Sequence, residues 1–226
     1  IQDNDDTIQG RIENALLKLH GHEVKLNGAG RTDSGVHAVG QCANFLTDMT
    51  MPPEKFREAL NSFLPSGIRI LRSEVVPDDF HARYDATERI YKYYMLPLSM
   101  CYPHTDRYCL GIKNSMDINI LNDIVTPLLG THDFSSFSSV MEDGYPMERT
   151  VKSIVFYESR GYTVFKISAD GFLRRMVRAI VGTSLELYSK GKNALDMSAI
   201  LEAKNRDAAG ACAPAKGLFL DRVIYD

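Results

Sequence analysis

Tryptophan is absent from these 226 residues, and cysteine is scarce. The four cysteines, Cys42, Cys101, Cys109 and Cys212, form no C-x-x-C pair. That argues against a zinc or dithiol site and fits reduced thiols in a cytoplasmic protein. No run of about 18 apolar residues occurs, so no membrane span is expected. No Gly-Lys-Ser/Thr follows a glycine loop, which removes a P-loop, and Gly28-x-Gly30 has its third glycine misplaced for a dinucleotide fingerprint. The opening residues Ile1-Gln2-Asp3-Asn4-Asp5-Asp6 are acidic and lack an apolar core, so no signal peptide is expected, and with no initiator Met the chain reads as a fragment of a longer one. A strong overall charge is also missing: 26 Lys and Arg against 29 Asp and Glu give a net charge of −3.

Within that weakly acidic total the charge is unevenly placed. Between Arg149 and Lys192 nine basic residues (Arg149, Lys152, Arg160, Lys166, Arg174, Arg175, Arg178, Lys190 and Lys192) face three acids, Glu158, Asp170 and Glu186. A local excess of this kind steers a polyanion whatever the total, although a solvated face reads the same way by composition.

The pattern of apolar residues predicts helices over 7–20, from Pro53, over 117–129, over 172–188 and over 197–204. Strands are expected from the glycine-rich segment to Phe45 and over 67–76, 88–96, 151–158, 162–169 and 218–225. Thr7 and Gly21 mark the ends of the first helix. Ser159-Arg160-Gly161 marks a hairpin. The order excludes a regular βα alternation and gives an α+β chain of two similar halves, 1–100 and 101–226, with the boundary in the weakly periodic stretch 97–116.

The densest chemistry lies in Gly28-Ala29-Gly30-Arg31-Thr32-Asp33-Ser34-Gly35-Val36-His37-Ala38-Val39-Gly40-Gln41. Four glycines surround a lone carboxylate there. Asp-Ser-Gly is a common turn, and it also occurs in aspartic proteases, where two carboxylates share a proton. A single copy makes a protease only as a symmetric dimer, and Arg31 and Thr32 stand where such enzymes carry apolar residues.

The longer string Gly30-Arg31-Thr32-Asp33-Ser34-Gly35-Val36-His37 resembles the G-R-T-D-[AS]-G-V-H signature of the TruA family of tRNA pseudouridine synthases. Four more blocks follow in the family's order: Phe80 to Tyr93 resembles F-H-A-R-x-x-A-x-x-R-x-Y-x-Y, and Gly130 to Phe137 resembles G-x-H-D-F-x-x-F. Phe172 to Gly182 resembles F-L-x-x-M-V-R-x-I-V-G, and Ala213 to Leu220 resembles A-P-x-x-G-L-x-L. Taken alone, Phe134 and Phe137 read as core, a strand tyrosine as filler and the helix arginines as solvated. Arg174 and Arg178, four apart, are expected on one helix face. The chain departs from the family pattern in lacking the strand with Tyr-Asp-Gly and the Gly-Trp-Gln that normally precede the first helix.

The resemblance implies an extended, mainly antiparallel sheet with helices on one face and a central active-site cleft. It implies Asp33 as nucleophile, Arg178 as its ion-pair partner, Tyr91 as stacking partner and proton acceptor, and Leu218 and Phe134 as pocket walls. Arg31, His37, His81, Arg83, Arg89, Arg174 and Arg175 are the expected RNA contacts. The implied reaction isomerises a flipped-out uridine, breaking N1–C1′ and making C5–C1′, by attack at C1′, attack at C6 or a glycal route. Such an isomerisation calls for no cofactor and no metal. The blocks most resemble the bacterial branch, which acts on tRNA positions 38, 39 and 40 in the anticodon stem-loop as a cytoplasmic homodimer. A catalytically silent RNA-binding module on the same fold is the alternative, with the dimeric protease behind it.

Overall fold

The computed structural model describes residues 6–139 and 144–226. The acidic residues 1–5 lie outside that range. In chain order the elements are α1 (Ile8–His20), β1 (Asn27–Gly28), β2 (His37–Ala38), β3 (Ala43–Asn44), α2 (Pro53–Phe63), β4 (Ala86–Pro97), β5 (Leu110–Ile112) and α3 (Ile118–Val125). They continue with β6 (Gly130–Asp133), β7 (Glu148–Ser159), β8 (Tyr162–Ala169), α4 (Met176–Ser189), α5 (Ala194–Glu202) and β9 (Leu218–Tyr225). Five helices and a mainly antiparallel sheet, among the described residues, make the α+β class expected. The chain packs as two compact units, one of Ile1–Arg31 with Cys42–Asp85, the other of Thr32–Gln41 with Ala86–Asp226. These packing units do not coincide with the halves 1–100 and 101–226.

In the first unit Thr7 caps α1 by accepting from the Gly10 N–H at 3.0 Å, and Gly21 ends it in the left-handed region at φ 77°. Leu16 and Ala15 of α1 close on Leu26, Leu60 and Leu64. Burying a leucine side chain contributes about 1.5–3 kcal/mol. Asn44 of β3 ties the Phe80-His81-Ala82 segment down, donating to the Phe80 carbonyl at 3.0 Å and accepting from the Ala82 N–H at 2.9 Å. Residues 67–76, expected as a strand, form no strand: the Ile70 main chain is taken up by the Asn61 side chain on both its N–H and its carbonyl. The strand expected to reach Phe45 is likewise reduced to the two-residue pieces β2 and β3, which fall in different units.

The second unit holds a seven-stranded sheet in the order β2-β9-β4-β8-β7-β6, with β5 on the other part of β4. All neighbours are antiparallel except β2 on β9 and β5 on β4. The β7–β8 hairpin turns at Arg160 and Gly161, both at positive φ (50° and 82°); such a pair matches the twist of the strands it joins. Across one face the register aligns Leu218, Tyr93, Phe165 and Phe156, all buried, and the core continues into Leu121, Ile124, Met176 and Ile180 of α3 and α4. The opposite face carries Phe219, Lys92 and Lys166 in register.

α4 begins at Met176, not at Phe172. Arg175 sits at φ 64°, in the left-handed region, which breaks the helix on its N-terminal side. Leu173 is therefore buried from a turn, and Arg174 and Arg178 do not share a helix face.

Candidate active site

The Asp33 loop is bent by its own main chain and strapped to β9. The Val36 N–H donates to the Asp33 carbonyl at 3.1 Å, across Gly35 at φ 80°. The Val39 and Gly40 N–H groups both donate to the Leu220 carbonyl, at 2.9 and 3.2 Å. A Cβ on Gly40 would lie 2.3 Å from the Asp221 carbonyl oxygen, so only glycine lets the loop pass this close to the strand.

Arg178 reaches the loop from α4. Its Nη1 donates to Asp33 Oδ2 at 2.7 Å, and its Nε donates to the Ala213 carbonyl at 2.8 Å. The guanidinium fork is thus divided between the carboxylate and the 211–213 segment, whose Ala213 N–H returns a bond to the Arg178 carbonyl at 2.9 Å. The two side chains are 16% and 23% exposed, open enough for a ligand to reach and shielded enough for the pair to persist. The bond to Nη1 takes up Oδ2 and so fixes the orientation of the carboxylate.

Tyr91 of β4 faces the same side of the sheet as Leu218 and Leu220. Its ring meets Phe172 edge to face at 5.1 Å between centroids. Burial pushes its phenol up to about 12; the Arg89 cation opposes that shift and the Asp33 carboxylate adds to it. Tyr91 is therefore a neutral phenol throughout the physiological range. Leu218 is 5% exposed beside it. Next along β4, Tyr93 donates its hydroxyl to the Pro214 carbonyl at 2.8 Å, and burial raises its phenol as well.

A carboxylate presented by a glycine loop, an arginine holding it, and a neutral tyrosine of β4 make a candidate site. Comparison with known proteins gives the family. The tRNA pseudouridine synthase family matches residues 1–85 and 124–226. The chain is 41% identical over 223 residues to tRNA pseudouridine synthase A 2 of Clostridium tetani, covering 99% of this chain and 90% of that protein. It is 40% identical to tRNA pseudouridine synthase A of Treponema denticola, covering 97% and 82%, and 40% identical to that of a Thermoanaerobacter species, covering 99% and 92%. This chain belongs to the tRNA pseudouridine synthase family. As a member it is an isomerase acting on tRNA.

The other expected residues divide between the two units. Arg89, Arg174 and Arg175 lie in the second unit with the Asp33 pair. Arg89 donates to the carbonyls of Ala86 and Asp170 at 2.9 and 2.6 Å, while Arg174 and Arg175 are exposed on the turn before α4. Arg31, His81 and Arg83 belong to the first unit. There, His81 Nδ1 accepts from the Arg83 N–H at 3.1 Å, and Arg83 lies over the Tyr84 ring at 5.7 Å. Phe134 is fully enclosed in the core beside Phe137, so its ring is core packing and not an open pocket wall. His37 lies on the Phe219 side of the sheet, away from Tyr91.

Several contributors were not singled out from the sequence. Phe172 was quoted only as part of a block, and its ring abuts Tyr91. The Ala213 and Pro214 carbonyls act through main chain, which no residue type reports. Gly217 leaves space where a Cβ would fall 2.7 Å from the Tyr93 ring. Arg149 was counted only in the basic segment, yet its Nε would lie 3.4 Å from a Cβ on Gly171, next to Phe172. Among the described residues no group of three or more His, Cys, Asp or Glu side chains converges to hold a metal, and no helix is long and apolar enough to cross a membrane.

Proposed function

We propose that this synthase converts uridine to pseudouridine in the anticodon stem-loop of tRNA, at positions 38, 39 and 40, with Asp33 as the nucleophile and the target base flipped out. The observation that carries the reading is the 2.7 Å Arg178–Asp33 pair, with Asp33 near enough to Tyr91 for its charge to act on the phenol. By attack at C1′, the Asp33–C1′ bond forms as N1–C1′ breaks and is broken in turn as C5–C1′ forms after the base has rotated; by attack at C6, the Asp33–C6 bond is released by elimination after C5–C1′ has formed; in both cases the C5 proton leaves to solvent and N1 takes up a proton. Arg178 holds the Asp33 carboxylate in place through that sequence. Tyr91, a phenol rather than a phenolate, acts as a stacking surface and hydrogen-bond donor, and accepts the C5 proton only where its own hydroxyl proton passes on to water in the same step. Leu218 closes the apolar side of the pocket.

Extruding a base costs a few kcal/mol. Phosphate contacts from Arg89, Arg149, Arg174 and Arg175 offset that cost. A protein of this size spans little of a tRNA, which supports the reading of a homodimer.

Mapping of pseudouridine in tRNA transcripts after treatment with this protein tests the proposal. New pseudouridine confined to the anticodon stem-loop supports it, and modification elsewhere contradicts the assigned region. Arg175→Gly tests the cationic rim. Glycine adopts φ 64° freely, so the turn is kept and only the cation is lost. The expected result is weaker tRNA binding with the slope of log K against log salt shallower by about 0.9, and an unchanged single-turnover rate at saturating tRNA.

A further inference from the structure

Main chain holds the Asp33 loop to the sheet along β9, through β2 and the Val39 and Gly40 bonds to the Leu220 carbonyl. β2 pairs with β9 over only His37 and Ala38, at the edge of the sheet. What fixes it further lies on the far face. His37 is in register with Phe219 and stacks on it at 4.7 Å and 25° between planes. The Tyr108 ring covers it at 5.0 Å, and His37 Nε2–H donates to the Arg107 carbonyl at 3.0 Å. Phe219 in turn meets Tyr94 edge to face at 5.2 Å. From the other face Val36 packs into the main core, so consecutive residues clamp the strand from both sides.

The segment that holds His37 is tied to the site a second time. Asp106 accepts from Lys216 at 2.7 Å, and Lys216 belongs to the turn that precedes Leu218. On the near side of that turn, the Ala215 Cβ would be 3.4 Å from a Cβ on Gly35. Residues 106–108 therefore brace both the loop that carries Asp33 and the turn that sets Leu218.

We infer that His37 is a positioning residue for Asp33, acting through Phe219 and the Arg107–Tyr108 segment, and that it is not an RNA contact. Its register places it on the Phe219 face, and Tyr91 is in register with Leu220 on the opposite face, so the sheet stands between the imidazole and the stacked base. Its ring is stacked on Phe219 and tilted against Tyr108, and its Nε2 is bonded to the Arg107 carbonyl. The inference rests on the pseudouridine synthase reading.

Loss of the clamp lets the carboxylate drift from its productive position, and displacements of about 1 Å cost roughly hundredfold in rate. The test follows release of the C5 hydrogen from tRNA labelled with tritium at uridine C5, together with the tRNA dissociation constant and thermal melting. For His37→Ala the single-turnover rate is expected to fall about hundredfold with the dissociation constant within about threefold. His37→Phe, which keeps the ring stack, is expected to recover most of that loss. Tyr108→Ala leaves His37 in place and is expected to slow the reaction in the same way, which keeps the test readable if His37→Ala does not fold. A weakened affinity at unchanged rate would make His37 an RNA contact and overturn the inference. A lowered melting temperature with rate and affinity both intact would reduce it to a stability residue and overturn it equally. Absence of tritium release by the unmutated protein would instead refute the synthase reading itself.

Discussion

Replacing Arg178 by lysine is expected to lower the rate of pseudouridine formation by about 10²–10³-fold, the loss typical when one charged donor is removed from a reacting centre, while tRNA affinity, dominated by phosphate contacts, stays within about tenfold. The reason is the divided fork. Nη1 holds Asp33 at 2.7 Å and Nε holds the Ala213 carbonyl at 2.8 Å. An ammonium is a compact charge that cannot keep this spread of two directed bonds at once. Either the carboxylate or the 211–213 segment loses its partner in the lysine variant. Single-turnover kinetics with a parallel binding isotherm check the split. Rates near those of the unmutated protein would show that a point charge near Asp33 suffices.

Gly182→Ala is expected to damage stability and rate together. Gly182 lies one turn after Arg178 on α4, against the segment that Arg178 binds. A Cβ there would be 1.8 Å from the Ala211 carbonyl oxygen and 2.9 Å from the Ala213 nitrogen. Both are main-chain atoms, so helix and segment must separate. Overpacking of this kind costs about 3 kcal/mol or more, which for a chain of this length corresponds to a melting point lower by roughly 6–12 °C. The separation also carries the Ala213 carbonyl away from Nε, so the surviving folded enzyme is expected to be slower as well. Thermal melting beside activity at a temperature where the variant is folded checks both effects. An unchanged melting point would mean that the segment moves freely and is not what holds Arg178.

Gly182 also shows what could be seen in the sequence. A glycine inside a helix costs about 1 kcal/mol against alanine, so one standing in an otherwise apolar helical run signals a close approach, and the structure supplies it. The ends of α1, the Arg160-Gly161 hairpin and the whole of β9 were legible because capping residues, turn chemistry and alternation agree there. The start of α4 was not. Apolar residues continue from Phe172 through Val181 with no glycine or proline to stop them, and the break depends on the left-handed backbone of Arg175. Residues 67–76 carry strand-forming residues, but the main-chain partner of Ile70 is a side chain, and local sequence says nothing about pairing.

The site itself was legible only through the family resemblance. Asp33 and Arg178 are 145 residues apart, and no periodicity links them. Residue types predicted cations near the site but not which face each would take. His37 shows the gap most clearly: its neighbours Asp33 and Val36 lie in the same motif, yet strand register sends its ring to the far side of the sheet.

The most direct test of Asp33 as the nucleophile is Asp33→Asn, assayed by quantitative mapping of pseudouridine in tRNA after prolonged incubation with equimolar protein. Asparagine keeps the size of the side chain and a hydrogen-bond acceptor for Arg178, but removes the charge that attacks carbon. The predicted result is no detectable pseudouridine with tRNA binding retained within about tenfold. Pseudouridine at the normal sites from a verified Asp33→Asn protein would contradict the account.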